Sequence, residues 1–128
     1  MGFADDMREH IRKLQERAED QMQRVVVVSL QGIMSRTPVD TGRCRANWNV
    51  QAGKPNLSTS MDTDEGSAAS RGNSEARAVS LKDKDVYISN NLPYAMKLEY
   101  GWSAQATHGM VRVTAAEVQA LINSGRLK

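Results

Sequence analysis

The sequence predicts an α+β domain: a long N-terminal helix, a small and mostly antiparallel sheet, a short helix and a C-terminal helix. Three observations carry this. Apolar residues recur every three or four positions from Met7 to Met34, the period of one helix face. They then alternate from Cys44 to Val50, the period of a half-buried strand. The remaining pieces give the order α-β-loop-(α)-β-α-β-α, which suits a small sheet with helices beside it. At 128 residues the chain has the size of one domain, taken as 1–128.

Each element has its own warrant. Met7, Ile11, Leu14, Ala18, Met22 and Val25 form one stripe, continued by Val26, Leu30, Ile33 and Met34. Asp5 and Asp6 suit a helix N-terminus, and Glu9–Lys13 and Asp20–Arg24 are spaced as i,i+4 pairs. Pro38 disfavours helix at Thr37, so the helix is expected over about 4–36, spanning roughly 45 Å. That is long for a small domain, and part of it is expected to project or to pack on another subunit. Pro38, Asp40 and Gly42 mark a turn. In "RCRANWNVQ" Cys44, Ala46, Trp48 and Val50 share one face, with Trp48 as core anchor. Residues 53–72 are rich in Gly, Ser, Thr and Asp, which predicts a long mobile loop. "SEARAVSLK" regains helical spacing at Ala78 and Leu81, and "DVYISN" reads as a second strand. "YAMKLEY" follows as a short helix, with Asn91 as a cap, Pro93 in its first turn and Gly101 as its stop. "GMVRVT" is expected to be a third strand. Thr114 and Glu117 then form a capping box for a last helix that ends at Gly125.

Composition narrows the function. Seventeen basic and fifteen acidic residues leave a net charge of +2, too balanced to argue for nucleic acid or an anionic membrane. The longest wholly apolar run, Val25–Val28, falls far short of a bilayer span, and "MGFADDMREH" is not a signal peptide. The expectation is a soluble protein made in a cytosol. One cysteine, Cys44, rules out an intrachain disulfide. His10 and His108 have no second ligand at metal spacing, and no phosphate loop or nucleophile elbow is present.

The densest chemistry lies in Tyr94–Arg112, "YAMKLEYGWSAQATHGMVR", with three of the six aromatics. Glu99 tempts as an acid or base. Near a helix C-terminus, however, a carboxylate needs a cation, and Arg112 is the candidate partner. Tyr94, Tyr100 and Trp102 suit stacking on bases, or an interface where Tyr, Trp and Arg are enriched. Few basic residues lie near them in the sequence, which favours the interface, with Gln105, His108 and Met110 included. Two rivals stay open: a nucleic-acid module using the aromatics with Arg43, Arg45 and Arg112, and a small hydrolase using Glu99 and His108.

"TPVDTGRCRANW" followed by "VYISNNLPYAMKLEYGWSAQATHGMVRVT" resembles the tail-completion (neck) proteins of tailed bacteriophages, the group that includes the lambda-type minor tail protein Z. The first segment matches at Thr37, Pro38, Val39, Asp40, Thr41, Gly42, Arg45 and Trp48. The second matches at Asn90, Pro93, Tyr94, Ala95, Leu98, Glu99, Tyr100, Gly101, Ser103, Gln105, Ala106, Gly109, Met110, Val111 and Arg112. Thr107 stands where the family often has Pro, and Cys44 where it often has Leu. The resemblance implies a non-enzymatic virion protein without cofactor or metal, assembled in the host cytoplasm as a ring, typically hexameric. Its implied neighbours are the tail terminator or tail tube and a head-completion (stopper) or adaptor protein. Genomic DNA passes through the channel without sequence-specific binding, and no membrane is involved. A tail terminator ring is the neighbouring alternative.

Overall fold

Helix α1 runs over Phe3–Arg36 in a computed structural model that describes residues 2–127. It stops where Pro38 forbids its continuation, with Thr37 in extended backbone. The stop is a buried junction. The Thr37 hydroxyl donates to Ile33 O at 2.7 Å and accepts from Trp48 Nε1 at 2.9 Å, and Arg45 Nε donates to Thr37 O at 2.7 Å. A buried indole N–H thus finds its acceptor on the last turn of the helix it packs against.

The remaining elements are α2 (Arg43–Ala46), β1 (Asn49–Ala52), α3 (Glu65–Arg77), β2 (Val86–Ser89), α4 (Ala95–Glu99), a 3-10 turn at Ala104–Ala106, and α5 (Val111–Asn123). Strands β1 and β2 pair antiparallel from Asn49 opposite Ser89 to Ala52 opposite Val86. The α+β expectation therefore holds in coarse form: a helix-rich domain with a two-stranded antiparallel sheet. The core joins Leu30, Ile33 and Met34 of α1 to Trp48, Val50, Ala68, Ala106 and Met110. No helix among the described residues is long and apolar enough to cross a membrane.

Three expectations are corrected. The strand expected from Cys44 begins only at Asn49, because Gly42 (φ 90°) turns the chain and Ala46 N donates back to Gly42 O. The alternation misled because both faces are covered here. Asn47 and Asn49 are buried too, and their side chains bond the 53–64 loop at Ser58 and Ser60.

Second, the loop expected over 53–72 becomes helix α3 at Glu65, capped by Asp64, whose Oδ1 accepts from Gly66 and Ser67 N–H. Its apolar stripe is made of small residues, Ala68, Gly72 and Ala76, all buried. A Cβ on Gly72 would lie 2.3 Å from Leu30 Cδ2. The lack of large side chains is what lets α3 approach α1, and it is also what makes the stretch look like a loop. The helix expected from Ser74 forward is this helix's last turn, and Ala78 and Leu81 lie beyond it.

Third, "GMVRVT" is no strand but the entry to α5. Thr114 sits inside that helix, donating to Met110 O at 2.7 Å, and Glu117 pairs with Arg36 instead of completing a capping box. Asn91 is likewise not the cap of α4. It donates to Leu57 O, and Tyr94 occupies the cap position.

Candidate functional site

The site grows from the way α4 is held. Asn90 donates to Cys44 O at 2.8 Å and accepts from Leu92 N at 3.1 Å. Leu92, Ala95 and Cys44 then form a small second core under α4, with Leu98 packed against it. Helix α4 ends at Glu99, and Gly101 (φ 87°) reverses the chain. A Cβ there would meet Thr107 O at 2.5 Å, so the returning loop passes where a side chain would stand.

Glu99 is thereby aimed at the start of α5. Its Oε1 accepts from Met110 N at 2.8 Å and Val111 N at 2.7 Å, and its Oε2 accepts from Arg112 N at 3.2 Å and Arg112 Nε at 2.8 Å. These are the donors that the first turn of a helix leaves without intrahelical partners. Glu99 is thus the cap of α5, supplied by another helix, where the dipole favours negative charge. Arg112 closes the corner from outside and also donates to Glu99 O. Burial alone would push the Glu99 carboxyl up. The bonds from the Val111 N–H, Arg112 and the Met110 N–H outweigh it and hold the group below the usual carboxylate range. A carboxylate with both oxygens engaged and its proton already lost is poorly suited to general-acid work.

Beyond the corner lies an exposed rim. Trp102 is 73% exposed and Tyr100 63%. Lys97 Nζ sits 5.0 Å from the Trp102 ring centre and Arg112 Cζ 4.8 Å from that of Tyr100. Both are cation–π contacts that spread two large rings over the surface. Met96 and Val111 add exposed apolar area.

On the other side of α4, an open groove of about 600 Å³ separates the rim from the Pro38–Arg43 turn. Pro38, Asp40, Gly42, Tyr94, Leu98 and Gln105 are among its walls. Gln105 clamps the turn by accepting from Val39 N at 3.1 Å and donating to Val39 O at 3.3 Å. Gly42 lets Thr63 O come within 2.7 Å of where its Cβ would be.

The two segments singled out in the sequence are therefore joined in space. Tyr94 and Gln105 face the groove, Tyr100 and Trp102 stand on the rim, and Glu99, Gly101 and Arg112 build the corner between them. Met110 belongs elsewhere. It is 1% exposed, in the core with Trp48, and is corrected from a surface residue to a packing one. His108 is exposed. Cys44 is buried, and burial pushes its thiol up to about 11, so it stays protonated and inert. Sequence reasoning missed Lys97 and Met96 as rim residues. The signal was present, since a five-residue helix with a buried Ala95 face must turn its other side chains outward. Among the described residues no three of His, Cys, Asp and Glu gather as a metal cluster. Compared with models of known families, with curated proteins and with solved structures, the chain has no match.

Proposed function

We propose that this chain is a tail-completion subunit of a tailed bacteriophage. In that role it forms a ring, typically of six copies, at the head-proximal end of the tail. It joins the tail terminator and tube to the head-completion connector around the DNA channel. The observation that carries the reading is the convergence of the two family-like segments. Thr37–Trp48 and Tyr94–Arg112 lie far apart in sequence, yet they meet through the paired Gln105–Val39 bonds and share one groove. Segments that resemble a family at matched separation, and that build one surface together, suit a shared docking role. Exposed Tyr100 and Trp102, with Arg112 beside them, are of the residue types that dominate interface energetics.

The test uses phage carrying Trp102→Ala or Tyr100→Ala. Both residues are exposed, so the variant proteins should fold as the parent does. Heads and tails should accumulate unjoined, with infectious titre down by roughly 100-fold or more, as expected when a hot-spot side chain worth ≥ 2 kcal/mol per contact is repeated around a ring. Normal joining in both variants would sink the reading. Glu99→Ala is a poorer probe, because it uncaps α5 as well as altering the surface.

A further inference from the structure

Residues 54–63 cross the body as a strap, without helix or strand, between the end of β1 and the start of α3. Among the described residues no backbone–backbone bond ties the strap to the body; the last before it runs from Gly53 N to Asp85 O. Six side-chain hydrogen bonds hold it instead. Asn47 brackets Ser60, its Nδ2 donating to Ser60 O at 3.0 Å and its Oδ1 accepting from Ser60 N at 2.7 Å. Arg43 Nε donates to the same carbonyl at 2.9 Å. Asn49 Nδ2 donates to Ser58 O at 3.4 Å, Asn91 Nδ2 to Leu57 O at 3.0 Å and Ser89 Oγ to Asn56 O at 2.8 Å. Every one of these bonds ends on the main chain of the strap, and Leu57, Thr59 and Met61 are exposed.

The receiving side is built independently of what it holds. Asn47 and Asn49 are 2% and 7% exposed. Asn47 Nδ2 also donates to Arg43 O at 2.7 Å, and Asn49 Nδ2 to Asn47 O at 3.3 Å. Each amide is thus oriented by the body as well as by the strap, which is preorganisation for a ligand. The strap itself fits loosely. A polar cleft of about 240 Å³, walled by Asn47, Asn49, Asn56, Ser58 and Arg71, remains beside it. Its hydrogen bonds each contribute modestly, and the entropy of ordering the segment opposes them.

We propose that Asn47, Asn49, Ser89 and Asn91 form a binding site for a peptide main chain, and that residues 54–63 are its resident, exchangeable ligand. Main-chain hydrogen bonds supply the affinity, as in other modes of peptide capture. The class of peptide is set by the one side chain that shapes the strap. Asn56 Oδ1 accepts from Ser58 N at 3.0 Å and from Ser58 Oγ at 2.6 Å, an Asx turn. A segment with Asn and Ser two positions apart therefore fits, and its outward side chains are free to vary. The far end of the strap, Met61 and Thr63, walls the groove beside Tyr94, so exchanging the strap would also reshape that groove. The site does not rest on the neck reading, and its test needs no phage.

The experiment is an NMR titration of the full chain with a synthetic peptide of residues 54–63. Wild type is compared with Ser60→Pro, which removes the N–H that Asn47 accepts. The Trp48 indole N–H, bonded to Thr37, reports the folded body. In Ser60→Pro the strap amides should move to unstructured positions while the Trp48 signal stays, and the peptide should bind with a Kd of about 1 mM or tighter. Wild type should bind it about tenfold more weakly or worse, because its own strap competes in cis. A peptide carrying Leu57→Ala, Thr59→Ala and Met61→Ala should bind like the parent, and one methylated on the Ser60 nitrogen should not bind. If Ser60→Pro loses the Trp48 signal, Asn56→Ala, which unshapes the strap and leaves the receiving side chains in place, is titrated instead. The proposal is overturned by a strap that stays docked in the variant titrated, or by peptide binding that is absent or equal in variant and wild type. Loss of binding by the alanine peptide, undiminished binding by the methylated one, or loss of the Trp48 signal in both variants would overturn it as well.

Discussion

The two halves of α1 share one helix and one periodic stripe, yet they live in different surroundings. From Leu30 to Arg36 the helix is packed by α3, α5 and Trp48. From Phe3 to Ala18 every residue is exposed, and the helix is braced by pairs among its own side chains. Arg12 pairs with Glu9 at i−3 and with Glu16 at i+4, and Arg8 with Asp5. The Asp20–Arg24 pair forms as its spacing suggests, at 2.9 Å, while Glu9 takes Arg12 in place of Lys13. Hydrophobic periodicity therefore states that a helix face requires covering. It does not state whether the cover comes from the same chain.

The strongest way to break the contrast is Leu30→Ala. Leu30 is fully buried and lies directly against Gly72, which has no side chain to refill the space. The expected loss is about 2–5 kcal/mol, read as a lower midpoint in urea unfolding. Amide exchange should rise from Val26 to Arg36 by the same free energy and hardly change before Ala18. Equal exchange in both halves of the wild-type helix would contradict the division drawn here.

Next comes Glu99→Gln, which weakens the cover of the packed half from a distance. Helix α5 holds α1 through Arg36, which donates to Thr114 Oγ1 at 3.0 Å and pairs with Glu117. Glu99 caps α5, and an amide NH₂ in place of Oε2 would face the Arg112 donors with another donor. About 1–3 kcal/mol should be lost. The pH dependence has a definite sign. The folded carboxyl titrates below its ordinary value, so the unfolded chain binds the proton more readily. The stabilisation is complete above the unfolded carboxylate value of about 4.3 and is lost as pH falls through the lowered folded one. Wild-type stability should fall across that acidic window, and Glu99→Gln should flatten part of the fall. Identical acid profiles for the two proteins would remove Glu99 from this role.

The smallest effect sharpens the other side. Arg12→Ala removes both exposed pairs at the centre of the projecting half. Surface pairs of this kind contribute little and are screened by salt. A slight loss of helical signal at low salt, vanishing at high salt, is expected, with no change in the urea midpoint of the packed body. A shifted midpoint would mean that the two halves are coupled.

What was legible in the sequence follows the same line. Local rules held where the chain answers to its neighbours in sequence. Pro38 stops α1, Gly101 and Gly125 end their helices, and Val86–Ser89 forms a strand. The link between Glu99 and Arg112 was readable as a charge requirement, although its larger purpose was not. The misses lie where tertiary contact decides. Val111, Val113 and Thr114 look like a strand because they are β-branched, but their helix is nucleated by a carboxylate from across a loop. Ala68, Gly72 and Ala76 look like a linker because they are small, and they are buried for that reason. At Cys44–Val50 the alternation is real, but the other face is covered as well, so period two did not mark a strand along its whole length. Of the candidate site, the aromatic residues were readable as a cluster. The groove was not, because its second wall comes from Pro38–Gly42, and only the folded chain brings that turn to Gln105.

The placement of the two tryptophans gives the molecule a built-in optical readout. Trp48 is enclosed at the foot of α1, with its indole N–H bonded to Thr37, while Trp102 stands in solvent on the rim. Their fluorescence should separate into a blue-shifted and a red-shifted component. Tilting α1 would disturb the first, and covering the rim would shift the second. An assembly step can thus be assigned to one end of the subunit or the other without any added label.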